Sequence, residues 1–244
     1  MICKNCGCEF EGRYCNNCGQ KNIEGRFTLR ETVHNFFHTF THVDSGILFL
    51  CKELFVRPGI VAREYIEGKR QKYFNPYQYL IITVAISYFV AVNFSLFGPK
   101  GDFETIRHLS DTERWGIQFN DFIYKFYNII LFLSVPITAL YSKLIFRKSG
   151  YNYSENLIFN AFIAGQRNII YLLISPFIYV FMKKWYIVIA AYYLLWNVYF
   201  AFSYVQFFEG KKIITILKYV CVLLLMFISF QSISMLVFTL FFFK

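Results

Sequence analysis

The sequence predicts an all-α polytopic membrane protein of about five transmembrane helices with a small N-terminal zinc ribbon. Three observations predict it. Two CxxCG knuckles, Cys3-Lys4-Asn5-Cys6-Gly7 and Cys15-Asn16-Asn17-Cys18-Gly19, open the chain. Of its 244 residues 57% are hydrophobic and only 16% charged, against about 25% charged in soluble domains. Beyond residue 75 the apolar residues gather into uncharged runs long enough to cross a bilayer. The chain divides into a ribbon over 1–22, amphipathic juxtamembrane helices over 23–74 and a transmembrane bundle over 75–244.

Each CxxC places two thiolates on one tight turn, and the glycine that follows takes the positive φ the turn requires. Two such turns face to face make a tetrahedral site from Cys3, Cys6, Cys15 and Cys18, with Zn–S near 2.3 Å. The connection from Gly7 to Tyr14 is too short for a rubredoxin-like iron site, which favours zinc. A ribbon this small has almost no apolar core, so the ion supplies its folding free energy, roughly 10–16 kcal/mol for structural zinc. Four protein ligands leave no open position for water or substrate, which makes the site structural. Cys8 is poorly spaced to join it, and Cys51 and Cys221 read as small hydrophobes. Thiolate ligands need a reducing compartment, and residues 1–30 lack the apolar core of a signal peptide. The N-terminus is therefore expected in the cytosol.

Residues 28–43 read as an amphipathic helix with Leu29, Val33, Phe36, Phe37 and Phe40 on one stripe and Thr28 with Glu31 as a capping box. His34, His38 and His42 recur every four residues on the opposite face. With Asp44 they form a candidate second metal site; the plainer reading is a polar face that happens to use histidine. Ile47 to Phe55 make an apolar helix too short to span, ended by Arg57-Pro58-Gly59. Arg57, Arg63, Lys69, Arg70 and Lys72 then outnumber Glu64 and Glu67. Such a cluster attracts anionic lipids at the cytosolic face by about 1 kcal/mol per charge, and it equally serves as a topology signal. The same bias accounts for the net charge of +10, so no nucleic-acid partner is expected.

Spans are expected at about 76–97, 122–142, 156–182, 185–208 and 213–243. Asn75-Pro76 is a helix start, with Asn as N-cap and Pro at the first position. Residues 100–121 read as a polar, net-acidic outer loop. Lys143, Arg147 and Lys148 mark one cytosolic turn and Glu209 to Lys212 another. Five spans place Lys244 outside a cytoplasmic (inner) membrane. Arg167 falls about 16 Å along the third span, near midplane, where an arginine costs about 2.5–3.5 kcal/mol on insertion scales. With no Asp or Glu in these spans, its partners are expected among backbone carbonyls, Gln166, Asn93, Asn197, water or an anionic ligand. The alternative is that residues 156–167 lie along the interface and the span begins later.

Two strings carry a family resemblance. Cys3-x2-Cys6-Gly7-x2-Phe10-x-Gly12-x-Tyr14-Cys15-x2-Cys18-Gly19-Gln20 is one. Leu54-Phe55-x-Arg57-Pro58-Gly59-x5-Tyr65-Ile66-x-Gly68-Lys69-Arg70-x2-Tyr73-x2-Pro76 is the other. Together they resemble a bacterial membrane family known as domain of unknown function 3667. The likeness implies an integral membrane protein with a cytosolic ribbon and brings no catalytic residues. A looser architectural likeness to the five-span Yip-type proteins implies membrane organisation or trafficking.

Three functions are compatible with these residues. The first is a docking or membrane-organising protein whose ribbon takes a cytosolic protein partner. The second is a transporter or channel for an anionic solute using Arg167, to be marked by a water-accessible cavity lined by Arg167, Gln166 and Asn168. The third is a metal-dependent enzyme acting on lipid through His34, His38 and His42. No P-loop, GxSxG, HExxH or dinucleotide fingerprint is present, which lowers any enzyme reading.

Overall fold

The computed structural model describes residues 1–22, 25–28, 46–93, 111–181 and 185–241. The helix expected over 28–43, apart from Thr28, lies outside the described residues. So do His34, His38, His42 and Asp44 of the candidate second metal site.

The juxtamembrane segment folds as two short helices, α1 (Gly46–Val56) and α2 (Pro58–Glu67). Proline at the start of α2 separates them, because its ring disfavours helical backbone at Arg57. Leu50 and Leu54 of α1 are wholly buried, whereas Leu48, Phe49, Phe55 and Val56 are exposed. This helix therefore lies half against the protein, with an apolar outer face suited to lipid.

Four helices are long and apolar enough to cross a membrane. They are α3 (Pro76–Asn93), α6 (Tyr153–Val180), α7 (Trp185–Phe208) and α8 (Lys212–Phe241). Asn75 caps α3 as its sequence predicts, its Oδ1 accepting from the N–H of Tyr77 at 2.9 Å. Between α3 and α6 stand α4 (Asp111–Lys125) and α5 (Tyr127–Ile145). The apolar part of α5, Ile129–Ile145, is shorter than a full span. The polar stretch read as an outer loop is helical from Asp111, and its Trp115 and Phe119 pack on Phe238 near the end of α8.

α6 is the centre of the bundle: 56% of its apolar window is buried inside the protein, against 17% for α8. Its start is set by a capping box, in which Asn152 Oδ1 accepts from the Glu155 N–H and Glu155 accepts from the Asn152 N–H. The helix thus begins three residues before the expected boundary of 156 and runs unbroken through Gln166-Arg167-Asn168. Gly165 allows α3 to come close, since a Cβ there would meet the Tyr79 ring at 2.5 Å. Polar side chains tie the helices across this seam. Tyr79 donates to Gln166 Oε1, and Asn168 Nδ2 donates to Thr83 Oγ1 at 3.4 Å. Tyr204 donates to Asn160 Oδ1 at 3.0 Å. Buried polar pairs of this kind fix register where lipid supplies little hydrophobic drive between helices.

One end of the bundle gathers the juxtamembrane elements. Arg63 of α2 pairs with Glu209 after α7. Arg26 pairs with Glu155 and donates to the Gly150 carbonyl, and Asn152 Nδ2 donates to the Phe27 carbonyl. Phe146 after α5 stacks on Phe208 at 3.8 Å. The two basic turns that the charge pattern assigns to one side of the membrane therefore meet at one end. The α5 helix starts beside Phe122 and Phe126, which touch each other, with Phe122 on Phe238, and ends beside Phe208. It thus runs the length of the bundle despite its short apolar stretch.

Gly59 is where α2 meets α7: a Cβ would lie 2.5 Å from the Phe207 backbone nitrogen and 2.7 Å from the Ser203 carbonyl oxygen. Backbone cannot step aside as a flexible side chain can. Gly59→Ala should therefore lose about 1–3 kcal/mol, read as a lower thermal midpoint in detergent. Gly116→Ala, with nothing within 4 Å of its new methyl, should leave that midpoint unchanged or raised.

Candidate metal centre and its juxtamembrane dock

The two knuckles are near copies offset by twelve residues. In the first, the Gly7 N–H donates to the Cys3 carbonyl at 2.9 Å and the Cys3 N–H to the Cys8 carbonyl at 2.9 Å. In the second, the Gly19 N–H donates to the Cys15 carbonyl at 2.8 Å and the Cys15 N–H to the Gln20 carbonyl at 2.9 Å. Isolated bridges Ile2–Glu9 and Tyr14–Lys21 close the base of each turn. Gly7 and Gly19 take φ of 75° and 70°, the left-handed conformation predicted for the residue after each CxxC.

These turns bring Cys3, Cys6, Cys15 and Cys18 together, with all four sulfurs within 4.8 Å of one another. Cys3 Sγ lies 3.6 Å from Cys18 Sγ, and Cys6 Sγ lies 3.5 Å from Cys15 Sγ. A tetrahedral ion with sulfur at 2.3 Å needs edges of about 3.8 Å, so the quartet is close to the required size. Cys8 stands outside it, exposed, and accepts from Asn17 Nδ2 at 3.2 Å.

The electrostatics of the quartet favour an ion. The Cys8 backbone N–H, ahead of other causes, favours the Cys6 thiolate and brings that thiol down to about 6. The Cys6 backbone N–H likewise lowers Cys3. Cys18 gains from the Gln20 N–H, yet burial and the adjacent Cys3 and Cys6 sulfurs push it up to about 11. Four sulfurs in contact cannot all carry charge unless a cation sits among them. The only other buried apolar side chain in this cluster is Phe10, so the ribbon has too little core to fold on hydrophobic burial alone.

The ribbon is joined to the membrane end through Gln20, which is 4% exposed. Its Nε2 donates to the Gly68 carbonyl at 2.7 Å. Its Oε1 accepts from the N–H groups of Arg70 and Gln71 at 3.1 and 3.3 Å. Gly68 ends α2 with φ of 123°, and a Cβ there would strike the Lys4 side chain at 2.8 Å. The sequence pattern includes Gln20 but assigns it no role; its partners lie about fifty residues away, and only the fold brings them together.

The basic residues expected to meet lipid are heavily engaged within the chain. Arg57 pairs with Glu53 and lies 3.7 Å from Glu64. Lys69 and Lys72 reach the same Glu64 carboxylate at 3.3 and 3.0 Å, and Tyr73 donates to it. Arg70 stacks over Phe27 at 3.7 Å, and Phe27 stacks on Tyr65. The motif positions divide the structural roles among them. Gly59 permits close packing, Tyr65 fills the core, Gly68 turns the chain, Tyr73 ties α2 back and Pro76 starts α3.

Arg167 sits in the middle of α6 and is 9% exposed. Its expected side-chain partners bond elsewhere: Gln166 bonds Tyr79 and the Cys51 carbonyl, Asn93 bonds the Phe89 carbonyl, and Asn197 accepts from Tyr219. Arg167 lines a cavity between α5, α6, α7 and α8, but Gln166 and Asn168 do not. The lining predicted for a solute pathway is therefore only partly present.

Cys15→Ser should reduce bound metal from one ion per chain to none, whereas Cys8→Ser should retain it; elemental analysis of purified protein distinguishes them. Glu64 supplies a pH test. Burial would raise its carboxyl, but hydrogen bonds from Tyr73, Lys72 and Lys69 outweigh burial and hold it at about 2 instead of 4.5. A depressed carboxyl stabilises the fold fully above about pH 4.5, and that contribution fades as pH falls toward 2. Glu64→Gln should melt about 4 °C below wild type at pH 7, with the gap closing across that acid window in circular dichroism melts.

No curated protein and no solved structure matches this chain. A family model does match, over residues 44–88, which span α1, α2, the Gly68 turn and the first part of α3. That family is described as a protein of unknown function (DUF3667), and the match at the juxtamembrane motif supports the chain's place in it.

Proposed function

We propose that this integral membrane protein has a docking or membrane-organising function, with a cytosolic structural zinc ribbon clamped on its juxtamembrane helices. The observation that carries the reading is the Gln20 side chain, which bonds the turn after α2 with both ends of its carboxamide. A metal-tied ribbon held this way acts as a rigid cap on the membrane end of the bundle. Its outer face leaves Ile2 and Tyr14 exposed at matching positions of the two knuckles, which suits a cytosolic protein partner. Zinc fits four thiolates better than harder cations do, and thiolate ligands require the reduced side of an inner membrane.

On this reading the chain crosses the membrane five times, α5 included, which leaves the C-terminus outside; the packing of Phe122 before α5 on Phe238 and of Phe146 after it on Phe208 supports that count. The cations at the cytosolic end exceed the carboxylates that pair with them, leaving an attraction for anionic headgroups. No catalytic residue is assigned. The structural zinc reading has no step for the ion beyond holding Cys3, Cys6, Cys15 and Cys18 in one fold.

Trypsin tests both the clamp and the orientation. Gln20→Ala should keep one zinc per chain yet speed cleavage at Lys69 and Arg70 several-fold, and only in inside-out vesicles. Equal cleavage of wild type and variant, or cleavage from the outside of intact cells, would contradict the proposal.

A further inference from the structure

Arg167 and Trp196 each bury a hydrogen-bond donor that has no acceptor among the described residues, and both residues line the same cavity. Arg167 Nη2 and Trp196 Nε1 are inaccessible to solvent and make no hydrogen bond. The residues carrying them are 9% and 7% exposed. The guanidinium carbon of Arg167 stands 5.9 Å from the centre of the Trp196 ring. Among the described residues no carboxylate lines the cavity; its polar lining besides these two is Ser134, Thr138, Asn160 and Tyr219. Those four already serve other partners: Ser134 and Thr138 bond carbonyls of their own helix, Asn160 accepts from Tyr204, and Tyr219 donates to Asn197. A buried cation without a counter-charge is strongly unfavourable, and a buried donor without an acceptor forfeits its hydration for nothing. A water relieves the donors but leaves the charge.

The cavity holds about 20 Å³, enough for little more than one water-sized group. Beside it, between α5 and α8, runs a groove of about 230 Å³ lined by Ile130, Leu133, Ile137, Phe230 and Ile233. Ser134 and Met226 border both spaces. A small space walled in part by one cation thus shares a wall with a larger apolar groove within the membrane bundle. One positive charge balances one negative charge, and the small end excludes a bulky headgroup.

We propose that Arg167 and Trp196 bind the carboxylate of a long-chain fatty acid whose acyl chain lies in the groove between α5 and α8. The carboxylate neutralises the arginine and offers its two oxygens to the two donors, which a shift of the Arg167 side chain uncovers, since neither donor atom is open to the cavity before the ligand enters. The tail fills apolar space that would otherwise hold no partner atoms. This site is separate from the ribbon and stands whether or not the docking reading does.

The test uses the full chain in phosphatidylcholine nanodiscs, with Trp115→Phe and Trp185→Phe leaving Trp196 as the reporter. 9,10-Dibromostearic acid should quench Trp196 saturably and bind at least tenfold more tightly than its methyl ester, which lacks the charge. Arg167→Gln should abolish that preference. Should that variant fail to fold, Ser134→Leu, which adds bulk where the head and tail spaces share a wall, should weaken the acid at least tenfold. Equal quenching by acid and ester, or a preference surviving both substitutions, would overturn the proposal. Quenching by sodium bromide at the same concentration would overturn it too, by showing a small-ion site without a tail.

Discussion

The carboxamide of Gln20 joins two parts of the chain that lie about fifty residues apart. One part is a ribbon of two cysteine turns with almost no apolar interior. The other is the turn after α2, whose Arg70 N–H and Gly68 carbonyl bond each other at 2.9 Å and, with the Gln71 N–H, also bond Gln20. The Gln20 carbonyl closes the second knuckle by accepting from the Cys15 N–H, and its side chain bonds the turn. The four-cysteine cluster is thereby tied to the turn that precedes the first apolar helix.

Below that cap the bundle relies on polar side chains aimed inward from α6. Gln166, Asn168 and Asn160 each find a side-chain partner on a neighbouring helix. These contacts specify which faces meet, something apolar packing does poorly when lipid is as greasy as the side chains. Arg167 lies between Gln166 and Asn168 in sequence but on another face, toward α7 and α8. Helical geometry turns each successive residue by about 100°, so adjacent polar residues reach different neighbours.

Much of this architecture is legible in the sequence because its causes are local. The CxxCG turns, the Asn75-Pro76 start and the apolar runs of α3, α6, α7 and α8 each follow from a few adjacent residues. The beginning of α6 is harder to read, because Glu155 looks like a loop residue until its capping role with Asn152 is seen. Apolar character alone suggests a full second span, yet α5 has only a short apolar stretch and follows directly on the amphipathic α4. What local signals cannot supply is pairing over distance. Nothing near Arg57, Lys69 or Lys72 in a charge count reveals that Glu64 gathers them, and nothing near Arg167 reveals that Trp196 shares its cavity. His34, His38 and His42 fall outside the described residues, so their row stands as a reading of the sequence alone.

The family match covers the juxtamembrane segment, and the fold gives that segment's glycines and aromatics physical roles. Gly59 and Gly68 are the points of closest approach to α7 and to Lys4, and Tyr65 and Tyr73 lock α2 from its two sides. The segment thus joins ribbon and bundle, and under the proposed clamp its conformation depends on the ribbon being folded.

Amide hydrogen exchange at Arg70 and Gln71, measured on the full chain with its metal and after chelation, tests that dependence most directly. Slow exchange is expected at both amides with metal bound, and exchange at least tenfold faster once the metal is removed, while the α6 core stays protected. Unchanged protection of Arg70 and Gln71 after complete metal loss would contradict the coupling of ribbon to bundle.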